Sequence, residues 1–281
     1  MATARTIFVL SGGGSRGAGQ VGMLRALHHA GVAPDVLVGA SVGAVNACFV
    51  AAHPGAAGVG ALAERWLGMR AESLCGHRRG VVANVARRRP YLFSADPFRR
   101  MVRAWVPTWH LENLPVSVRV ATTDIATGRA VHHDHGYIPD LLAASAALPG
   151  LFPPVVLHGP AGPSTHVDAG ISENVPLSGA LDLARPGDRV VVLDVTRTPQ
   201  SHRALRSPLD VLIASLVAAV RNRADAELPA GVEVVRCKLD EEFDCGGVFD
   251  FRHTGRLFEL GEEAVRAALA ATGTAGDLSA A

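Results

Sequence analysis

Val36-Leu37-Val38-Gly39-Ala40-Ser41-Val42-Gly43-Ala44-Val45 is the stretch whose reading decides the fold. A short apolar run ends in Gly39, a lone serine follows, and Gly43 and Ala44 open a segment of helix-forming residues. The pattern predicts a strand, a sharp turn and a helix, the setting in which the serine of a G-x-S-x-G pentapeptide becomes a nucleophile. Cβ groups beside such a turn would clash, and glycine removes them. Ser41 then projects its Oγ from the tip of the turn, at a helix N-terminus whose partial positive charge favours a developing alkoxide or oxyanion. A tight turn with an incidental serine has the same pattern, so the pentapeptide alone does not decide between the two.

Immediately upstream, Ile7 to Leu10 reads as a buried first strand, too short and too β-branched for a helix. It runs into Ser11-Gly12-Gly13-Gly14-Ser15-Arg16-Gly17-Ala18-Gly19, after which Val21, Leu24, Leu27 and His28 recur at helical spacing and Gly31 provides a C-cap. Strand, glycine loop and helix form an anion-cradling arrangement, with unhindered N–H groups converging at a helix N-terminus. The first fifty residues make one β-α-β-α unit, and the right-handed crossover rule places its two strands side by side and parallel.

Composition narrows the class. The chain has 281 residues, 48% hydrophobic and 19% charged, enough to bury a sizeable core as one large α/β domain or two small ones. A net charge of +1 argues against a general nucleic-acid binder. Lys238 is the sole lysine, so the arginine and alanine abundance looks like coding bias as much as function. No apolar run reaches the roughly 18 residues of a membrane span, and the N-terminal run is too short for a signal peptide. Cys48, Cys75, Cys237 and Cys245 lack metal-site or disulfide-framework spacing and read as free thiols. The expectation is a cytoplasmic protein, with peripheral contact at a membrane surface.

Residues 54–110 change character: between Arg65 and Arg103 lie ten arginines against Glu72 and Asp96, interspersed with apolar residues. The segment reads as an Arg-rich helical insertion or lid over the sheet rather than core. Its basic excess suits anionic lipid head groups, although a solvated arginine face is the plainer reading. Further on, Val116–Ala121 reads as a strand, Ala130–His133 as its return, Tyr137–Leu148 as a helix stopped by Pro149-Gly150, and Arg189–Val195 as another buried strand. A helix capped by Ser207-Pro208, a strand at Val232–Arg236 and a final amphipathic helix over Leu257–Leu269 follow, with a frayed tail from about Ala271. No repeat or linker appears, so the prediction is one α/β domain with an insertion.

A serine at an elbow needs an oxyanion hole and a base. The Gly12-Gly13-Gly14 loop ends the neighbouring parallel strand, on the sheet edge where α/β ligands bind, and Arg16 adds positive charge or an ion pair that shapes the loop. Gly12, Gly14 and Gly17 also match G-x-G-x-x-G, but the second strand ends in Gly39-Ala40-Ser41 instead of the acid that grips a ribose. The P-loop alternative lacks its Gly-Lys-Ser/Thr. Among twelve histidines, His202 and His253 follow in triad order without a telling context, and His132, His133 and His135 cluster near a turn without metal-site spacing. Asp168 follows a short strand and precedes Ala169-Gly170; burial would raise its pKa and make it a useful base.

Gly12-Gly13-Gly14-Ser15-Arg16-Gly17, Gly39-Ala40-Ser41-Val42-Gly43 and Asp168-Ala169-Gly170 resemble, in order and spacing, the motifs of the patatin-like phospholipases. Ala121–Gly128 and Ala144–Pro154 look like two further blocks of that family, so the resemblance covers roughly residues 5–182. It implies a mostly parallel sheet flanked by helices, related to the α/β-hydrolases, with residues 5–182 as the catalytic domain and 183–281 completing it. It implies a Ser–Asp dyad without histidine: Ser41 as nucleophile, Asp168 as base, Gly12–Gly14 as oxyanion hole, and Arg16, Gly17, Gly39, Gly43 and Gly170 supporting the motifs. Acyl esters of lipids would be the substrates, with no metal or cofactor. Ala169 departs from the family's usual glycine, and a positive φ there would strain the turn. A lipid-binding or regulatory protein of the same fold with little hydrolysis is the rival expectation.

Overall fold

Alternate residues of the central strands face opposite sides, and both sides are apolar. Phe8, Leu10, Leu37, Val118, Val120, Val191 and Leu193 bury into the larger core, whereas Ile7, Val9, Val36, Val38, Val190 and Val192 bury into a smaller one on the other face. The computed structural model describes residues 4–76, 78–160, 162–196, 229–239 and 243–271, with isolated positions 211, 215 and 218. The strands are β1 (Thr6–Leu10), β2 (Val36–Ala40), β3 (Ser117–Asp124), β4 (Ala130–His133), β5 (Val155–Gly159), β6 (Gly162–Val167), β7 (Arg189–Asp194) and β8 (Glu233–Lys238). They form one sheet ordered β5-β6-β3-β2-β1-β7-β8, with β4 also pairing β3.

The β3-β2-β1-β7-β8 portion is parallel, as the first β-α-β unit predicts, and β4, β5 and β6 extend it antiparallel. Register aligns Leu10 with Gly39 and Leu193, and Ala40 with Ala121. The carboxyl ends of β1, β2, β3 and β7 therefore stop at one level, and the loops that leave them meet there.

The helices are α1 (Ala18–His29), α2 (Val42–Ala52), α3 (Ala56–Leu67), α4 (Ala71–Cys75), α5 (Arg78–Ala86), α6 (Asp96–Trp105), α7 (Ile138–Ser145), α8 (Leu177–Leu181) and α9 (Thr254–Ala271). α8 covers the smaller core through Leu177, Ala180 and Leu181. Most of the others cover the larger one. The segment 54–110 is helical, but it does not sit apart from the core as a whole: α3 buries Val59, Leu62 and Trp66, and α6 buries Phe98, Val102 and Trp105. The α6 positions lie at helical spacing among Arg99, Arg100 and Arg103, which mask them in the sequence, while Val59 and Leu62 of α3 precede the arginine-rich stretch. α4 and the described part of α5 bury no residue. The helix expected from Ser207-Pro208, His202 and the tail beyond Ala271 lie outside the described residues.

α1 and α9 approach closely because glycines line their seam. A Cβ on Gly22 would fall on the Phe258 backbone, and one on Gly261 on the Gly19 carbonyl. Beside the seam, Arg25 donates to Glu262 at 3.0 Å and its guanidinium lies 5.5 Å from the Phe258 ring centre. Gly22→Val is expected to force the helices apart and to lower the unfolding free energy by about 1–3 kcal/mol. A urea midpoint equal to that of wild type would show that the seam has room to open.

Candidate active site

Only Ser41 separates β2 from α2. Its backbone adopts φ 51° and ψ −122°, in a region that a residue with a β-carbon enters under strain. The neighbouring glycines make the turn sterically allowed. A Cβ on Gly39 would lie 2.5 Å from the Ala44 Cα, and one on Gly43 would collide with the Leu10 and Ser11 carbonyls. The Ser41 N–H donates to Ser145 Oγ at 2.8 Å, and its carbonyl accepts from Ala44 at 3.0 Å and Val45 at 3.3 Å.

Asp168 leaves β6 and meets this turn from the antiparallel side of the sheet. Ser41 Oγ donates to its Oδ2 at 2.9 Å, and the Gly170 N–H donates to its Oδ1 at 2.7 Å. Its main chain is fixed as well: the N–H donates to the Ala147 carbonyl at 3.0 Å, and the carbonyl accepts from Thr123 Oγ1 at 2.8 Å. The residue is 2% exposed. Burial pushes its carboxyl up to about 6 from 3.8, against the smaller downward pull of the Gly170 and Ser41 hydrogen bonds. Ala169 causes no backbone strain, because Ser41 and Arg88 are the positive-φ non-glycine positions among the described residues. Its methyl packs against Ala40 and Ala121, a pocket of small residues that accepts it.

The glycine loop lies on the other side of Ser41, where a Cβ on Gly12 would come within 3.3 Å of the Ser41 Cβ. It does not present three equivalent amides. The Gly12 N–H donates to the Asn174 carbonyl at 2.8 Å and is unavailable, a correction to the expected Gly12–Gly14 oxyanion hole. The Gly13 and Gly14 N–H groups make no hydrogen bond among the described residues. Gly14 has φ 58°, and a Cβ there would stand 2.8 Å from the Val248 carbonyl oxygen, so glycine is required on both counts.

Buried polar contacts hold the loop. Gln20 donates to the Ser11 carbonyl at 2.8 Å, Asn46 donates to Gln20 Oε1 at 2.9 Å and to the Gly17 carbonyl at 3.0 Å, and Trp66 Nε1 donates to Asn46 at 2.9 Å. Arg16, 2% exposed, donates to the Val195 carbonyl at 2.9 Å, which places its guanidinium under the loop as a brace. Gly17 leaves room for Val42, whose Cγ2 would be 2.5 Å from a Cβ there. Asn174 links the two halves of the site: its carbonyl holds Gly12, and its side-chain amide reaches the Gly12 carbonyl at 3.3 Å and Thr196 Oγ1 at 2.9 Å.

Asn174, Ser145 and Thr123 are not among the sequence-predicted site residues. Ser145 and Thr123 lie within two of the blocks that carry the resemblance, but only tertiary contact reveals what they hold.

The candidate histidines among the described residues are engaged elsewhere. Thr122 Oγ1 lies 2.8 Å from His133 Nε2 and 2.9 Å from His166 Nδ1, and burial lowers both imidazoles, His133 to about 4. His132 Nε2 is 3.3 Å from Glu173 Oε2, and exposed His135 pairs with Asp134 at 2.7 Å. His253 packs edge-on against Phe243. Among the described residues, no group of three or more His, Cys, Asp or Glu side chains is placed to hold a metal ion.

An apolar cluster borders both halves of the site. Phe93, Phe152 and Phe249 have ring centres 5.7–6.2 Å apart and pack with Ala147, Leu148 and Leu151. Ala147 is the residue whose carbonyl holds Asp168, and Phe249 follows Val248, against which Gly14 packs.

Fold and geometry together define an α/β protein with an elbow of serine-hydrolase type. Residues 8–181 match the family model for patatin-like phospholipase, and the chain belongs to that family. It is 28% identical over 202 residues to the lysophospholipase nte1 of Aspergillus terreus, a match covering 69% of this chain and 12% of that protein. An uncharacterized NTE family protein of Mycobacterium tuberculosis is 26% identical over 290 residues, covering 94% of this chain and 46% of the relative. The chain thus spans a small part of the fungal relatives' length and under half of the mycobacterial one. Among solved structures, VipD from Legionella pneumophila superposes with a TM-score of 0.46 at 15% identity, covering 96% of this chain and 67% of that one.

The raised Asp168 carboxyl has a thermodynamic consequence. The unfolded chain releases this proton near 3.8, the native one near 6, so between those values the native state binds more protons and stability falls as pH rises. Above that window the loss amounts to about 3 kcal/mol. Asp168→Asn removes the titration. The variant is expected to resist urea better than wild type at pH 7–8, with the advantage shrinking towards pH 4. An advantage independent of pH would show that Asp168 titrates alike in both states.

Proposed function

We propose that the protein is a serine lipid acyl hydrolase, of phospholipase A or esterase type, working through Ser41, Asp168 and an acyl-enzyme. The observation that carries this reading is the 2.9 Å hydrogen bond from Ser41 Oγ to a buried carboxylate, at a strained strand-to-helix turn. A carboxyl titrating near 6 is ionised at neutral pH and still basic enough to share the serine proton as attack proceeds.

In the first step Ser41 Oγ bonds to the ester carbonyl carbon while its proton passes to Asp168 Oδ2. The carbonyl π pair moves onto oxygen, where the unpaired Gly13 and Gly14 amides, with the Val42 N–H at the start of α2, are the available donors. Collapse of the tetrahedral species expels the leaving alcohol, which takes the proton from Asp168. Water, deprotonated by the same carboxylate, then adds to the acyl-enzyme; collapse releases the fatty acid, and Ser41 recovers its proton. The aromatic cluster of Phe93, Phe152 and Phe249 beside the site suits an acyl chain.

A fluorophosphonate probe is expected to label wild type and not Ser41→Ala, and Asp168→Asn to reduce ester hydrolysis by about 1,000- to 10,000-fold. Because the ionised carboxylate is the active form, kcat/KM should fall about tenfold per pH unit below about 6. Folded wild type that resists labelling, or a flat profile from pH 4 to 8, would overturn the assignment.

A further inference from the structure

α5 is loosely embedded. None of its described side chains is buried, and it packs extensively against no other element among the described residues. Its two faces differ. Val81 and Asn84 are half-buried and face the protein, whereas Val82 and Val85, also three apart and so on one face, are 69% and 59% exposed. The helix runs into Arg87, Arg88 and Arg89, all exposed and with no carboxylate in ion-pair range among the described residues. Between Arg65 and Arg103 the sequence carries ten arginines against Glu72 and Asp96. Exposed aliphatic side chains followed at once by unpaired arginines have the chemistry of an element lying in a bilayer interface, with its cations at the head groups.

α5 is also wired to the site. Asn84 Nδ2 donates to the Leu92 carbonyl at 3.0 Å, the Leu92 N–H donates to the Gly150 carbonyl at 3.0 Å, and the Phe93 N–H donates to the Leu151 carbonyl at 2.8 Å. Leu92, Phe93 and Leu151 belong to the apolar cluster that borders Asp168 and the glycine loop. Exposed valines, exposed arginines and two residues of the apolar cluster thus follow one another along a short stretch of chain.

We propose that the Val82–Val85 face of α5 and Arg87–Arg89 form a docking surface for an anionic lipid bilayer, bringing the Phe93 side of the apolar cluster next to the membrane. The proposal deepens the lipid-hydrolase reading and rests on it for the identity of the substrate; binding to the bilayer is measurable apart from turnover. The probe is vesicles of phosphatidylcholine alone or mixed with phosphatidylserine, sedimented with the Ser41→Ala protein so that no lipid is consumed. Binding is expected on the mixed vesicles at low salt (about 0.05 M) and to fall at least about tenfold at high salt (about 0.5 M) or on the neutral vesicles.

Each arginine near such a surface contributes about fivefold, so Arg87→Gln/Arg88→Asn/Arg89→Gln should weaken binding about a hundredfold. Asparagine is chosen at position 88 because φ there is 51°. Val82→Ser/Val85→Ser should weaken binding as well. With Ser41 restored, both sets should hydrolyse a water-soluble short-chain ester at the wild-type rate, which shows that they fold. Equal binding to neutral and anionic vesicles at both salt concentrations, or arginine variants that bind as wild type does, would overturn the proposal. So would a concentration-dependent dimer that Val82→Ser/Val85→Ser abolishes in a protein without vesicle binding, since a second copy would then cover the face. Vesicle binding that follows the prediction in a wild type without esterase activity would sink the hydrolase reading and leave the docking surface standing.

Discussion

At Ser41 the chain holds φ 51° and ψ −122°, a conformation that costs a residue with a β-carbon on the order of 1–3 kcal/mol and persists only where its surroundings impose it. Here they do so from three directions. β2 delivers the residue from inside the sheet, α2 pulls the next one into a helix, and Ser145 from α7 takes the N–H that the turn would otherwise leave unpaired. Gly39 and Gly43 allow the strand and helix to fold back on themselves, since side chains there would meet backbone. Relaxing Ser41 would require β2, α2 and α7 to move together, and all three contribute to the same buried core.

The other parts of the site are placed relative to that turn through the sheet. Leu10, Gly39 and Leu193 are in register, so the glycine loop, the serine and the end of β7 emerge at one level. Asp168 arrives on an antiparallel strand, from the far side of β3, and Thr123 on β3 holds its carbonyl. Asn174 closes the circuit by tying the loop after Asp168 to Gly12. One consequence is a division of labour within the glycine loop: Gly12 anchors, while Gly13 and Gly14 keep their amides unpaired next to the serine. Gly13 and Gly14 are half-buried, so their amides are left open to a bound group or to water.

The parallel core, the elbow and the neighbouring loop were legible in the sequence because each depends on local steric rules. Short β-branched runs, glycines at fixed offsets from Ser41, and a helix period after each loop constrain the backbone whatever the rest of the chain does. Three things were not legible. Whether Gly12 or Gly13 keeps a free N–H depends on Asn174, about 160 residues away, and no local pattern reports that contact. The core role of α6 was hidden by Arg99, Arg100 and Arg103, although Phe98, Val102 and Trp105 are spaced for burial, and that of α3 by its place at the head of the arginine-rich stretch. The fit of Ala169 was open because its φ follows from the short helical turn after Asp168 and from the Ala40–Ala121 pocket.

The proposed dyad asks a carboxylate to do what a histidine does in a triad, and the surroundings of Asp168 make that reasonable. In water a carboxyl near 3.8 is too weak a base to share a serine proton at neutral pH. Burial moves it to about 6, and the Gly170 N–H at Oδ1 leaves Oδ2 facing Ser41. The described histidines are placed differently: His133 and His166 are turned towards Thr122, with burial favouring their neutral forms, and His132 is held beside Glu173. An imidazole at Ser41 would need space where Ala40, Ala121 and Ala169 pack together and where Gly12 approaches the serine. Small residues around the turn bring the carboxylate into direct contact with the hydroxyl, and in the proposed mechanism that closeness removes the need for an intervening base.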